Sequence, residues 1–203
     1  MELIKKIITF GVLPLLVVAL AVWAFVGTAG SEDYSYQGYI VAVRQTDDGT
    51  VITTLSGETQ SEFVIKKTTK QVFNGELKEL KECAFIRLST KRGSDTQVKR
   101  FSAYEGYCME GKILYLEGQT YPSILTIDPS YNYNMLYTLI PSQDISYQLE
   151  TGTQVKAYYQ YPLNASTEKV VVDVIQVTSD TLSPLTEDEL AYLERMGHTV
   201  ASK

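Results

Sequence analysis

The side chains able to do chemistry are few. Cys83 and Cys108 are the two cysteines of the 203-residue chain, and they stand 25 positions apart. That spacing is not the CxxC of a redox pair. An even pair outside a reducing compartment reads as a disulfide. The competing reading is two buried thiols, because Cys83 opens the apolar run Cys83-Ala84-Phe85-Ile86. As a disulfide, a loop of this length would add roughly 3 kcal/mol in the chain-entropy model. The one histidine, His198, follows a helix stop in a tail expected to be loose. Its isolation argues against Ser–His or Cys–His nucleophiles and against most metal sites. Adjacent carboxylates occur at Asp47-Asp48 and Glu187-Asp188-Glu189, but these fit a turn and a helix start. No glycine-rich phosphate loop is recognisable. The expectation is a protein that is not an enzyme, with no catalytic residues, no metal site and no cofactor. The unusual residue is tyrosine, 15 in all, nine of them between Tyr115 and Tyr161.

The elements that must position these residues come in a loose repeat. Gln37-Gly38-Tyr39-Ile40 and Glu110-Gly111-Lys112-Ile113 lie 73 positions apart. At that offset Val51-Ile52-Thr53 meets Ile124-Leu125-Thr126, and Val72 meets Ile145. The match is one of pattern rather than identity. In the first copy, residues 36–44, 50–55, 62–66, 83–89 and 97–103 read as strands, with Asp47-Asp48-Gly49 and Arg92-Gly93-Ser94-Asp95 as turns. Residues 76–81 read as one or two helical turns. In the second copy, residues 112–117, 124–127, 135–140, 155–161 and 169–177 read as strands, with residues 144–152 as an irregular bridge. Residues 104–108 are expected to form a short, stiff connection. After both copies comes one helix. Thr186-Glu187-Asp188-Glu189 fits a capping box, Leu190, Leu193 and Met196 an apolar stripe beside Tyr192, and Gly197 a stop.

Ile7 to Val26 is a run of 20 uncharged residues between Lys5-Lys6 and Glu32-Asp33. As a helix it would span about 30 Å, the depth of a bilayer core. The flanking lysines predict a cytoplasmic N-terminus and a chain that continues outside the membrane. The competing reading is a leader cleaved near Gly27-Thr28-Ala29, which would leave the protein secreted. Charge beyond the leader is uneven. Residues 34–107 hold 11 Lys/Arg against 9 Asp/Glu, and residues 109–178 hold 3 against 7. The acidic balance argues against nucleic acid as a partner.

Five short strands with a bridging element between the third and fourth resemble the OB-like barrels found in tandem in membrane-anchored bacterial proteins, many without assigned function. On that resemblance the chain is mainly β: an anchor or signal at 1–30, barrels at 34–107 and 109–178, and a helix with its tail at 183–203. SH3-like barrels or one ten-stranded sandwich would give a similar string. The resemblance further implies ligand contacts on the second and third strands and on the adjoining loops. Tyr121, Tyr131, Tyr133 and Tyr161 of the second copy would lie there. The first expectation of function is a non-catalytic, membrane-tethered interaction or assembly module, with a protein partner. The alternative is an envelope binder of glycan or peptide through those tyrosines. Tyrosine is also an ordinary strand residue that pairs across sheets, which would leave them structural.

Overall fold

The computed structural model describes residues 34–71, 79–128, 132–142, 149–164 and 166–201. The apolar leader, Tyr131, and part of the segment expected to bridge strands three and four in each copy lie outside the described residues. No helix among the described residues is long and apolar enough to cross a membrane.

The fold is mainly β, in two six-stranded sheets with one short helix. The first sheet holds β1 (Tyr36–Thr46), β2 (Gly49–Ser56), β3 (Thr59–Lys66), β4 (Lys70–Gln71), β5 (Phe85–Thr90) and β6 (Val98–Tyr104) in the order β3-β2-β1-β5-β6-β4. The second holds β7 (Tyr107–Leu114), β8 (Ser123–Ile127), β9 (Asn134–Pro141), β10 (Gln154–Tyr159), β11 (Lys169–Val172) and β12 (Val174–Val177) in the order β11-β9-β8-β7-β10-β12. Both sheets therefore share one five-strand core, β3-β2-β1-β5-β6 in the first and β9-β8-β7-β10-β12 in the second.

In each core the first strand serves two neighbours in turn. Tyr36–Tyr39 of β1 pair with β5, and Tyr39–Thr46 pair with β2, with the register slipping between Ile40 and Ala42. That bulge bends the strand from one partner to the other. Likewise Tyr107–Lys112 of β7 pair with β10, and Lys112–Leu114 pair with β8. Gly38 and Gly111 stand at these crossovers for a packing reason. A Cβ on Gly38 would come within 2.6 Å of the Leu55 carbonyl oxygen, and one on Gly111 would collide with the Leu125 carbonyl.

Neither sheet is the closed five-stranded barrel that the strand string suggests. In the first, β3 and β6 form no ladder among the described residues; one parallel bridge joins Val64 to Gln97, just before β6, and the Val64 amide donates to the Thr96 carbonyl at 2.8 Å. In the second, the stretch expected as a single last strand breaks at Asp173. Its first part runs parallel to β9, and its second part runs antiparallel to β10. The expected connection at 104–108 is also shorter than anticipated. Only Glu105 and Gly106 separate β6 from β7, and Cys108 already lies inside β7.

Each sheet buries its own apolar face. Ile40, Ile52, Phe63, Ile86, Leu88 and Phe101 fill the first core. Ile113, Ile124, Tyr137, Leu139, Val155 and Tyr159 are among those filling the second. A third cluster, Tyr39, Leu55, Phe85, Tyr158 and Val174, joins the two sheets at a seam.

The helix α1 (Glu187–Arg195) carries the expected capping box. The Thr186 hydroxyl accepts from the Glu189 amide, and the Glu189 carboxylate accepts from the Thr186 amide at 2.7 Å. Gly197 takes a positive φ of 74°, its amide donating to the Glu194 carbonyl and the His198 amide to the Leu193 carbonyl. These two bonds form a Schellman stop. The expected stripe is corrected, because Leu190 and Met196 are exposed. Leu193 is the buried anchor, packing with Leu114, Leu116 and Leu125, and with Leu185, Tyr192 and Val200 beside it. The tail is not loose either. The Glu117 amide donates to the Thr199 carbonyl and the Ala201 amide to the Tyr115 carbonyl, so residues 199–201 extend the pairing beyond β7.

A candidate ligand cleft at the seam between the sheets

Alternation along β5 places the site. Ala84, Ile86 and Leu88 point into the first core. Phe85 and Arg87 therefore point out of that sheet, toward the second. Across the pairing, Phe85 faces Tyr39 on one side and Tyr104 on the other. The rings contact: Tyr39–Phe85 centroids are 5.2 Å apart edge-on, Tyr39–Tyr158 5.4 Å, and Phe85–Tyr104 6.3 Å. The Arg87 guanidinium lies 5.7 Å from the Phe85 centroid and 5.7 Å from the Tyr104 centroid. Two aromatic faces thus orient one exposed cation.

The second sheet supplies the facing polar groups. Asp173, at the break between β11 and β12, accepts from the Tyr39 hydroxyl at 2.5 Å and from the Gln160 side-chain amide at 2.8 Å. Burial, reinforced by the Asp173 carboxylate, pushes the Tyr39 hydroxyl far above the usual phenol range, so it stays a donor at any physiological pH. Cys83 and Cys108 are joined in a disulfide beside this cluster, tying the start of β5 to β7. Cys83 holds a left-handed φ of 67°, a conformation that residues other than glycine adopt only when their surroundings impose it.

A cleft of about 230 Å³ opens here, lined by Phe85, Arg87, Tyr104, Glu105, Gln160 and Tyr161. The Glu105 carboxylate is neutralised by Lys81 at 2.6 Å. Among the described residues, Arg87 has no carboxylate partner. Tyr161 forms the rim and is 76% exposed. Aromatic walls, one unpaired guanidinium and one amide make a surface suited to holding a ligand.

Of the tyrosines expected to share a site, those among the described residues share none of the described clefts. Tyr161 lines the seam cleft. Tyr121 and Tyr133 are exposed but line neither this cleft nor its neighbours. The Tyr133 carbonyl accepts from the Asp128 amide at the base of the β8–β9 hairpin. Tyr131 lies outside the described residues. Tyr39, Tyr137, Tyr158 and Tyr159 are buried and structural, and burial pushes the Tyr159 hydroxyl up to about 12. Phe85, Arg87, Tyr104 and Gln160 were not singled out from sequence. The available signal was the outward pair Phe85 and Arg87 on a strand whose other face is apolar.

A second cleft, about 400 Å³, lies on the second sheet between Met109, Met135, Tyr137, Tyr159 and Leu163. Among the described residues no three His, Cys, Asp or Glu side chains are placed to hold a metal ion. No protein-family model, curated protein or solved structure matches the chain.

Proposed function

We propose that the chain is a non-catalytic interaction module held at the outer face of a membrane by its apolar leader, its sheets being two OB-like halves. The shared five-strand order and the crossover strand of each half support the OB-like reading. The disulfide supports a location outside the reducing cytoplasm. The observation that carries the functional reading is the seam cleft. It gathers aromatic and polar groups from both halves and contains no nucleophile beside a base. Clefts between packed units are common places for ligands.

The test is crosslinking of the full chain in native membranes, with a photoreactive residue in place of exposed Tyr161, followed by mass spectrometry. A specific adduct with a second protein is the expected result. Recovery of only the uncrosslinked monomer would overturn the reading. The alternative, a glycan or peptide binder acting through the tyrosines of the second half, draws on Tyr121 and Tyr133, which remain 44% and 51% exposed. Adding wall fragments to the full chain should then shift the signals of Tyr121 and Tyr133 rather than those lining the seam.

A further inference from the structure

From the seam cleft we infer the ligand class: the C-terminal end of a partner polypeptide, presenting a free carboxylate and an apolar or aromatic last side chain. The inference rests on the reading of the chain as an interaction module and names what that site holds.

Three observations converge. The first is the cation. Arg87 has no carboxylate partner among the described residues, yet its guanidinium is held over two rings at 5.7 Å each. A stacked guanidinium keeps its N–H edge free for bidentate pairing with a carboxylate. Of the nearby anions, Glu105 is taken by Lys81 at 2.6 Å, and Asp173 accepts from the Tyr39 hydroxyl and the Gln160 amide. The second is the walls. Phe85, Tyr104 and exposed Tyr161 line the cleft and give it an aromatic wall next to that cation. The third is size. The cleft, about 230 Å³, lies below the range usual for drug-sized ligands. It has room for a residue-sized group, which suits a chain end better than the middle of a polymer. Gln160 completes the set. Its amide N–H is directed to Asp173 at 2.8 Å, which leaves its carbonyl oxygen to accept the N–H of the ligand's last peptide bond. Capture of a terminal carboxylate beside an apolar pocket is a recurrent mode of peptide recognition.

The test is calorimetric titration of the full chain in detergent micelles with an acetylated tripeptide ending in phenylalanine, as the free acid and as the C-terminal amide. The acid should bind about tenfold or more tighter than the amide, in line with a charge-assisted pair. Arg87→Gln should abolish that preference, and Tyr161→Ala should weaken both forms alike. Both side chains are exposed, so both variants should melt with the parent protein. Equal binding of acid and amide overturns the inference. So does an absence of heat with both peptides, a preference that survives Arg87→Gln, or displacement by glucuronate with no effect of peptide. The two readings separate cleanly. If the membrane crosslink persists in Arg87→Gln while the peptide result is negative, the ligand class is wrong and the interaction module stands. If the acid peptide binds but no partner is crosslinked, the carboxylate chemistry of the cleft stands and the membrane-tethered partner complex does not.

Discussion

Tyr39 shows how one side chain can tie two sheets. Its ring is fully enclosed between Phe85 and Tyr158, and its hydroxyl reaches Asp173 on the opposite sheet. Replacing it with phenylalanine keeps the rings and removes the bond. Hydrogen bonds to charged groups contribute about 1.5–3 kcal/mol. Gln160 remains as a donor to Asp173, so the loss should fall at the lower end of that range, measured by urea unfolding. The buried tyrosines also set the alkaline limit. Burial raises the hydroxyls of Tyr36, Tyr39, Tyr137, Tyr158 and Tyr159 above the ordinary value of 10.0. Above pH 10 the unfolded chain releases protons that the folded chain keeps, so stability falls as pH rises through that window. Absorbance at 295 nm should show these five tyrosines ionising only as the protein unfolds. Little of this was legible in the sequence. Tyr39 and Tyr161 are the same residue type in similar strand-rich surroundings, and only a partner 134 positions away makes the first a buried donor.

At the scale of elements, one ion pair reinforces the docking of α1. Lys112 on β7 reaches Glu189 at 2.7 Å and the Pro184 carbonyl at 3.1 Å, with the two charged side chains 12% and 13% exposed. Burial works against the Glu189 charge, but the bonds from Lys112 and from the Thr186 backbone outweigh it and hold its carboxyl below the ordinary 4.5. A depressed carboxyl contributes stability that is present above pH 4.5 and lost as pH falls through its folded value. The helix should therefore undock in acid before the sheets unfold, seen as loss of amide protection at Leu193. Lys112→Met should destabilise by about 2–3 kcal/mol, less than the ~3–5 kcal/mol of breaking a fully buried pair. The ends of α1 were readable because capping is local: Thr186, Glu189 and Gly197 act within one turn. Its buried face was not. Leu190, Leu193 and Met196 form an even stripe in sequence, but of these three only Leu193 is buried against the sheet, and Leu185, Tyr192 and Val200 complete that contact. The inward-facing strand positions were legible for the same reason as the caps, since Ile86 and Leu88 alternate with Phe85 and Arg87. The open sheets were not, because nothing in residues 169–177 except Asp173 marks where one strand changes partners.

At the scale of the molecule, the two cores meet along the aromatic seam and the Cys83–Cys108 bridge. Removing the bridge with Cys83→Ser and Cys108→Ser should lower stability by about 3 kcal/mol, the value for closing a loop of 25 residues. Thermal unfolding of the oxidised and double-serine proteins under identical conditions provides the comparison. Because each sheet buries its own core, the double variant should keep its far-ultraviolet spectrum at room temperature. The repeat behind this arrangement was visible as the 73-residue offset of Gly38 and Gly111, since close strand approach demands glycine at both. The seam was invisible, because it depends on how two finished surfaces meet.

The pairing of residues 199–201 with 115–117 has a consequence for biogenesis. Translation proceeds from the amino end, so the backbone groups of Tyr115 and Glu117 meet their partners only after the codons for residues 199–201 have been read. Until then the nascent second sheet presents an unfinished margin to its surroundings, open to whatever strand it meets first.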